Sequence, residues 1–199
     1  MKLDDERMMR LAVDTAVDAR LRSRPNPWVG AVVVATDGQV FCGATMQPGE
    51  AHAEVVALNA AGHNAHGATL YTTLEPCSHT GKTGPCTQVI IDAKISRVVV
   101  GLIDPDKQVA GNGIKQLQDA GITVDVGIEQ TLVAQQLAPY LHHRRTGRPY
   151  VILKMAMTLD GRVAMPDNSQ WITGETARKR VHQLRAESDA ILVGAGTVR

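Results

Sequence analysis

The sequence predicts an α/β layered fold with a mixed sheet, and three observations carry that expectation. Strand-like runs alternate with helix-periodic segments from residue 28 onward, as in sheets covered by helices. Several of those runs are near-continuous and β-branched, which is how strands buried on both faces read. Asp37-Gly38 stands between the first two and signals a hairpin.

The elements follow in order. Residues 4–21 read as a helix, with Met8, Leu11, Ala12, Thr15, Ala16 and Ala19 at helical spacing. Arg22 to Pro27 breaks it, since two prolines bracket Asn26. Trp28 to Ala35 and Gln39 to Ala44 are the two hairpin strands, and Pro48-Gly49 ends that unit. A helix begins close to His52 and runs to about Gly62; Ala68 to Leu74 is a strand ending at Glu75-Pro76-Cys77. Residues 81–84 form a loop, Pro85 suits the first helical position, and that helix reaches about Ala93. Arg97 to Ile103 is a buried strand. Asn112 to Ala120 is helical with Gly121 as C-cap, Ile122 to Val126 is a short strand, and Glu129 to Leu141 is a further helix.

His142-His143-Arg144-Arg145-Thr146-Gly147-Arg148-Pro149 is basic and punctuated. It reads as a solvated linker in preference to a phosphate-binding arm, because charge runs usually face water. The boundary it marks divides the chain into 1–145 and 146–199. Beyond it Tyr150 to Met157 reads as a strand, Thr158-Leu159-Asp160-Gly161-Arg162 as a turn, Thr176 to Glu187 as a helix and Ala190 to Val193 as a strand. A second α/β domain begins there without being completed.

Composition narrows the function. With 44% hydrophobic and 21% charged residues, a globular protein with a real core is expected. A net charge of +1 supplies no drive toward nucleic acid or an anionic membrane. Six aromatic residues are too few for a single-strand stacking platform. The charged N-terminus lacks an apolar signal region and no apolar run reaches spanning length, so a cytoplasmic location is expected. Three cysteines favour metal or thiol chemistry over a disulfide framework.

His52, Cys77 and Cys86 offer three ligands of the types zinc prefers, leaving a fourth tetrahedral position open, as in catalytic sites. Glu54 lies two residues past His52 and is expected to shuttle protons, not to bind metal. Zinc deaminases carry H-x-E followed by P-C-x-x-C; here eight residues separate the cysteines. In mid-helix His52 and Glu54 would point about 200° apart, so the helix must start at His52 for both to face one centre. Cys86 at a helix N-terminus gains from the dipole and free amides. Zinc-assisted hydrolytic deamination of an aminopyrimidine or purine is the expected reaction. A structural zinc would need a fourth protein ligand, for which His79 is the candidate. Cys42, in a predicted strand, reads as a small buried hydrophobe, and His63 and His66 as surface residues.

Pro25-Asn26-Pro27-Trp28-Val29-Gly30, His52-Ala53-Glu54, Thr73-Leu74-Glu75-Pro76-Cys77-Ser78-His79, Gly81-Lys82-Thr83-Gly84-Pro85-Cys86, Asp104-Pro105 and Val109-Ala110-Gly111 occur in order. Together they closely resemble the bifunctional riboflavin-biosynthesis deaminase/reductase family, across essentially the whole chain. The resemblance implies a cytidine-deaminase-like three-layer α/β/α domain, zinc on His52, Cys77 and Cys86, and Glu54 as the catalytic proton carrier. It implies a phosphoribosylaminopyrimidine substrate held by Asn26, His79 and Lys82, and a homo-oligomer. Leu153-Lys154, residues 158–162, Ser169-Gln170-Trp171-Ile172-Thr173 and Leu184-Arg185-Ala186 resemble the start of that family's NADPH-dependent, dihydrofolate-reductase-like domain. By position Ala156, Trp171 and Thr197 match NADP contacts, and Ser169 and Arg185 match substrate contacts. This segment is expected to be an N-terminal fragment that cannot support reduction alone.

The sequence departs from the family at Thr45, where a His is usual, at Gly84 in place of a Pro, at Asp106 in place of an Asn, and by one residue around Pro166-Asp167-Asn168. A nucleoside or tRNA adenosine deaminase should carry C-x-x-C, which is missing. A zinc-stabilised binding module would have no need of Glu54.

Overall fold

The computed structural model describes residues 2–81, 83–163 and 171–198. The chain resolves into two compact units, Met1–Tyr150 and Val151–Arg199. The first is built on five strands: β1 (Gly30–Val34), β2 (Val40–Ala44), β3 (Thr69–Leu74), β4 (Arg97–Leu102) and β5 (Thr123–Val126). They lie in the order β2-β1-β3-β4-β5. β1 runs antiparallel to both neighbours, with Gly30 opposite Ala44 and Ala31 opposite Thr72. β3, β4 and β5 are mutually parallel. The sheet is therefore mixed, as the alternation of elements predicts.

Helices cover both faces, giving the three-layer α/β/α architecture. α1 (Lys2–Ala16) and α5 (Gln130–Gln136) touch each other and the inner strands. α2 (Ala53–Ala61), α3 (Cys86–Asp92) and α4 (Asn112–Asp119) contact one another in succession, and α2 packs on β1 and β2. The inner strands are apolar on both sides, since both sides are covered: Val32, Val33, Leu70, Val98, Val99 and Val100 are fully buried.

Two glycines set how closely helices approach the sheet. A Cβ on Gly43 would lie 2.4 Å from both Ala53 O and Ala57 N, so β2 admits α2 only without a side chain there. A Cβ on Gly30 would lie 1.9 Å from Ala12 O and 2.8 Å from Ala16 N in α1. Backbone cannot yield as a flexible side chain can. Gly30→Ala is therefore expected to cost about 3 kcal/mol or more, the upper end for overpacking. A urea-unfolding midpoint within experimental error of the parent's would refute that.

Several expectations need correction. The first helix gives way after Ala16 to a 3-10 turn, Val17–Ala19. Cys42 is exposed. Side chains alternate along a strand, so with Gly43 against α2 its neighbour faces the other side of an edge strand. The helix expected over 129–141 is split at Leu137 into α5 and α6 (Ala138–Thr146). Pro139 explains the break, since it has no N–H to donate and its ring collides with the carbonyl four residues back. The basic run expected as a linker forms the last turns of α6. His143, Arg144 and Arg145 sit where the helix dipole favours cations, and Gly147 ends the helix at φ +67°. Arg144 also pairs with Asp106 at 3.3 Å and lies 5.3 Å from the Tyr140 ring centre.

In the second unit the turn at 158–162 forms, with Gly161 at φ +81° and its N–H donating to Thr158 O. α7 (Glu175–Ala186) forms and α8 (Ala195–Val198) follows. The strands expected over 150–157 and 190–193 do not form. A strand is stable only when a neighbour satisfies its backbone, and none does so among the described residues. Val151, Leu153 and Leu192 are accordingly exposed.

Candidate active site

The expected metal-ligating residues converge where β3 ends and two helices begin. His52 is the N-cap of α2, with extended backbone at φ −75° and ψ 165°. Its carbonyl accepts the first helical bond, from Val56 N–H at 3.0 Å. Because His52 is outside the helix proper and Glu54 within its first turn, the two avoid the divergence they would have in mid-helix. Cys77 stands three residues past the end of β3, after Glu75 and Pro76. Cys86 is the first residue of α3, and Pro85 is its N-cap, one position earlier than expected. Cys77 O accepts the Thr87 N–H at 3.2 Å, which ties the first cysteine to the helix bearing the second.

Cys86 Sγ lies 3.3 Å from His52 Nδ1, and Cys77 Sγ lies 3.6 Å from it. All three donor atoms fall within 4.8 Å of one another. Zinc bonds of about 2.0 Å to nitrogen and 2.3 Å to sulfur in a tetrahedron place such atoms about 3.6 Å apart, so the donors present fit that ion. The Cys86 N–H also donates to Cys77 Sγ at 3.4 Å, from the positive end of α3.

The electrostatics favour one thiolate in the metal-free chain. Cys77 is held well below the usual thiol range, first by its bond with the Cys86 side chain and then by His52 and the Cys86 amide. Cys86 is pushed up, because it donates to the Cys77 sulfur and is buried. His52 is raised, chiefly by its bond to Cys77. Glu54 is 4% exposed. Burial lifts its carboxyl to about 7, against the opposing pull of His52. A carboxyl poised there can take and return a proton near neutrality.

The remaining expected residues are placed less tightly. Asn26 is half-buried in the turn before β1, where its N–H donates to Ser23 O at 2.8 Å. His79 is exposed in the loop between the cysteines. Neither makes a hydrogen bond to the His-Cys-Cys cluster among the described residues. Lys82 and Ser169 lie outside the described residues, as does the 166–168 departure. In the second unit Ala156 is half-buried, Arg185 is exposed in the last turn of α7, and Thr197 is exposed in α8. Trp171 is exposed, with the Arg178 guanidinium 4.7 Å from its ring centre. Thr45 is buried, its hydroxyl 3.2 Å from Val29 N–H and 3.3 Å from Val29 O, and it serves as backbone support.

Glu75, inside the motif Thr73–His79, has a structural role that its place in the sequence does not disclose. Its carboxylate is buried and accepts four backbone N–H bonds: Asp104 at 3.2 Å, Gly111 at 3.0 Å, Gly113 at 3.0 Å and Ile114 at 3.2 Å. The two last are free amides of the first turn of α4. The available signal was a carboxylate directly after a strand end, two residues before a cysteine, with a glycine-rich stretch at 111–113 for it to cap. Asp104 is likewise buried, and Tyr140 Oη lies 2.9 and 3.0 Å from its two carboxylate oxygens.

Comparison with known proteins agrees with this geometry. Residues 2–102 match the family model "Cytidine and deoxycytidylate deaminase zinc-binding region", and residues 149–199 match the RibD C-terminal domain. The riboflavin biosynthesis protein RibD of Bacillus amyloliquefaciens is 48% identical over 196 residues, covering 98% of this chain and 53% of that protein. RibD of Escherichia coli (strain K12) is 47% identical over 198 residues, covering 98% of this chain and 54% of that protein. A crystal structure from Thermotoga maritima, described as a diaminohydroxyphosphoribosylaminopyrimidine deaminase/5-amino-6-(5-phosphoribosylamino)uracil reductase, is 40% identical with a TM-score of 0.91. That match covers 99% of this chain and 57% of the other. The chain thus spans about half the length of the curated relatives it matches. With its mixed sheet, its His-Cys-Cys cluster at the strand end and these matches, the chain belongs to the cytidine and deoxycytidylate deaminase zinc-binding family and, within it, to the RibD group.

Proposed function

We propose that this chain is a zinc-dependent hydrolytic deaminase acting on 2,5-diamino-6-(5-phosphoribosylamino)pyrimidin-4-one in riboflavin biosynthesis. The observation that carries the reading is one imidazole nitrogen and two sulfurs within 4.8 Å, next to a buried carboxyl poised near 7. His52, Cys77 and Cys86 hold the ion, which when bound makes water acidic enough to act as a nucleophile near pH 7. As a carboxylate, Glu54 accepts a proton from the attacking water while the water oxygen bonds to the amine-bearing ring carbon. Glu54 then gives that proton to the departing nitrogen. The carbon–nitrogen bond breaks, ammonia leaves, and the water's second proton passes from the new hydroxyl to the adjacent ring nitrogen, so that a ring carbonyl remains. Asn26, His79 and Lys82 hold the substrate, Lys82 as a flexible cation for its phosphate. The T. maritima relative's description supports this substrate.

Residues 1–145 form the deaminase domain in this reading, and 146–199 the beginning of an NADPH-dependent reductase domain. In that domain Ala156, Trp171 and Thr197 face the cofactor, and Ser169 and Arg185 face the ribosyl substrate. The enzyme assembles as a homo-oligomer. No helix among the described residues is long and apolar enough to cross a membrane.

The test is ammonia release by zinc-loaded protein from the phosphoribosylaminopyrimidine, with cytidine and adenosine as controls. Release from the first alone is expected. No release from it by protein carrying one equivalent of zinc, or equal release from cytidine, would overturn the assignment.

A further inference from the structure

β3 ends at Leu74, where the first parallel crossover of the sheet begins, and the next two residues are Glu75 and Pro76. Their surroundings are unusually constrained for a loop. The Glu75 carboxylate spends one oxygen on Asp104 and Gly111, and the other on Gly113 and Ile114. A Cβ on Gly113 would lie 2.1 Å from Pro76 O and 3.2 Å from Glu75 Oε1, so α4 presses directly on this dipeptide. The Glu75 N–H is bonded in turn to Leu102 O at 2.9 Å, at the end of β4. The residue after Pro76 is Cys77, whose carbonyl is tied to α3 through Thr87, and Thr87 Oγ1 meets Gln116 Oε1 of α4 at 2.7 Å. Cys77 is thus approached from both sides of the sequence by bonds that end on α4.

We infer that Glu75 is a positioning residue for the candidate metal centre: by clamping the end of β3 to the start of α4 and the loop after β4, it holds Cys77 at its distance from His52 and Cys86. The inference rests on the zinc reading above for its consequence, and on the hydrogen bonds alone for its cause. Glu75 touches no reacting atom. It acts as supporting groups around metal ligands do, whose loss typically lowers metal affinity 10–100-fold. Only a carboxylate fits the site. The position faces four donors, and an amide would turn one of its own N–H groups toward two of them.

The experiment compares the full chain with Glu75→Gln and the milder Glu75→Asp, which keeps the charge but shortens the reach. Asp5→Asn is the control. Asp5 receives bonds from Arg97 and Tyr71 at the opposite end of the strands, so its loss lowers stability without touching the Cys77 loop. Two readouts are taken. In metal-free protein, the alkylation rate of Cys77 is measured against exposed Cys42 as internal reference. In parallel, Co²⁺ affinity is measured by competition against a chelator. Glu75→Asp keeps the charge and is expected to fold, and the Glu75 variants are expected to raise the Cys77:Cys42 ratio about threefold or more and weaken Co²⁺ binding about tenfold or more. Asp5→Asn is expected to move both by less than about twofold, because sites far apart with no shared partners act independently. Unchanged alkylation, unchanged affinity or an equal response in Asp5→Asn would each overturn the positioning role. If the parent chain binds no Co²⁺, the zinc reading fails, and the alkylation ratio by itself still decides whether Glu75 holds Cys77 in place.

Discussion

Replacement of Glu54 by Gln is expected to lower ammonia release about 10²–10⁴-fold, the range a positioned proton carrier contributes. Zinc content should stay at one equivalent, because the ion is assigned to His52, Cys77 and Cys86. The same substitution should stabilise the metal-free protein at high pH. Burial raises the Glu54 carboxyl from 4.5 to about 7, so the folded chain holds a proton there that the unfolded chain has already lost. Between those two values the native state binds more protons, and the stability of the metal-free protein falls as pH rises. Each pH unit is worth about 1.4 kcal/mol, so the cost above pH 7 approaches about 3 kcal/mol. Gln cannot ionise and escapes it. Urea unfolding of the metal-free proteins at pH 8 and pH 4 measures this: a gain for Glu54→Gln at pH 8 that vanishes at pH 4 is expected. Loss of zinc together with activity, or full retained activity, would remove Glu54 from the mechanism.

The second large effect concerns Cys86. Zinc binds thiolate, yet in the metal-free chain this sulfur is pushed up by its bond to Cys77 and by burial and is a thiol at pH 7. His52 is also raised. Zinc binding must therefore expel protons, and affinity should fall as pH falls, about tenfold per pH unit for each proton displaced. Cys86→Ala should reduce the protons released on zinc addition at pH 7 by about one. It should weaken zinc binding by at least about 100-fold, beyond the 10–100-fold typical of groups that only support a ligand. Proton release in a weakly buffered indicator solution and chelator competition give the two numbers. An unchanged zinc affinity would mean that Cys86 is not a ligand.

How much of this was legible from residues varies with the kind of constraint. The strands from 28 to 126 were readable because burial on both faces demands continuous apolar, β-branched runs, and Asp37-Gly38 announced the tight reversal between the first two of them. The requirement that α2 start at His52 was readable because helical geometry forbids residues two apart from sharing a target. The end strands expected at 150–157 and 190–193 were not, since an apolar run states what a segment could pair with and not whether a partner is present. The break at Leu137 was signalled by Pro139 but masked by strong helix formers on either side.

The chemistry of the candidate site was local: the donor types of His52, Cys77 and Cys86 and the carboxylate of Glu54 are identities, and identities are what a sequence carries. The packing partners were not local. That Glu75 would close on amides of residues 104, 111, 113 and 114 depends on β3 and β4 lying side by side and on Gly113 letting α4 come near Pro76. That Glu54 would be lifted to about 7 depends on α2 lying close against β2 at Gly43 and on the site closing over it. Sequence spacing specifies which groups can act. Desolvation and hydrogen bonds between segments distant in sequence decide their proton affinities and positions, and those arise only when the sheet brings the segments together.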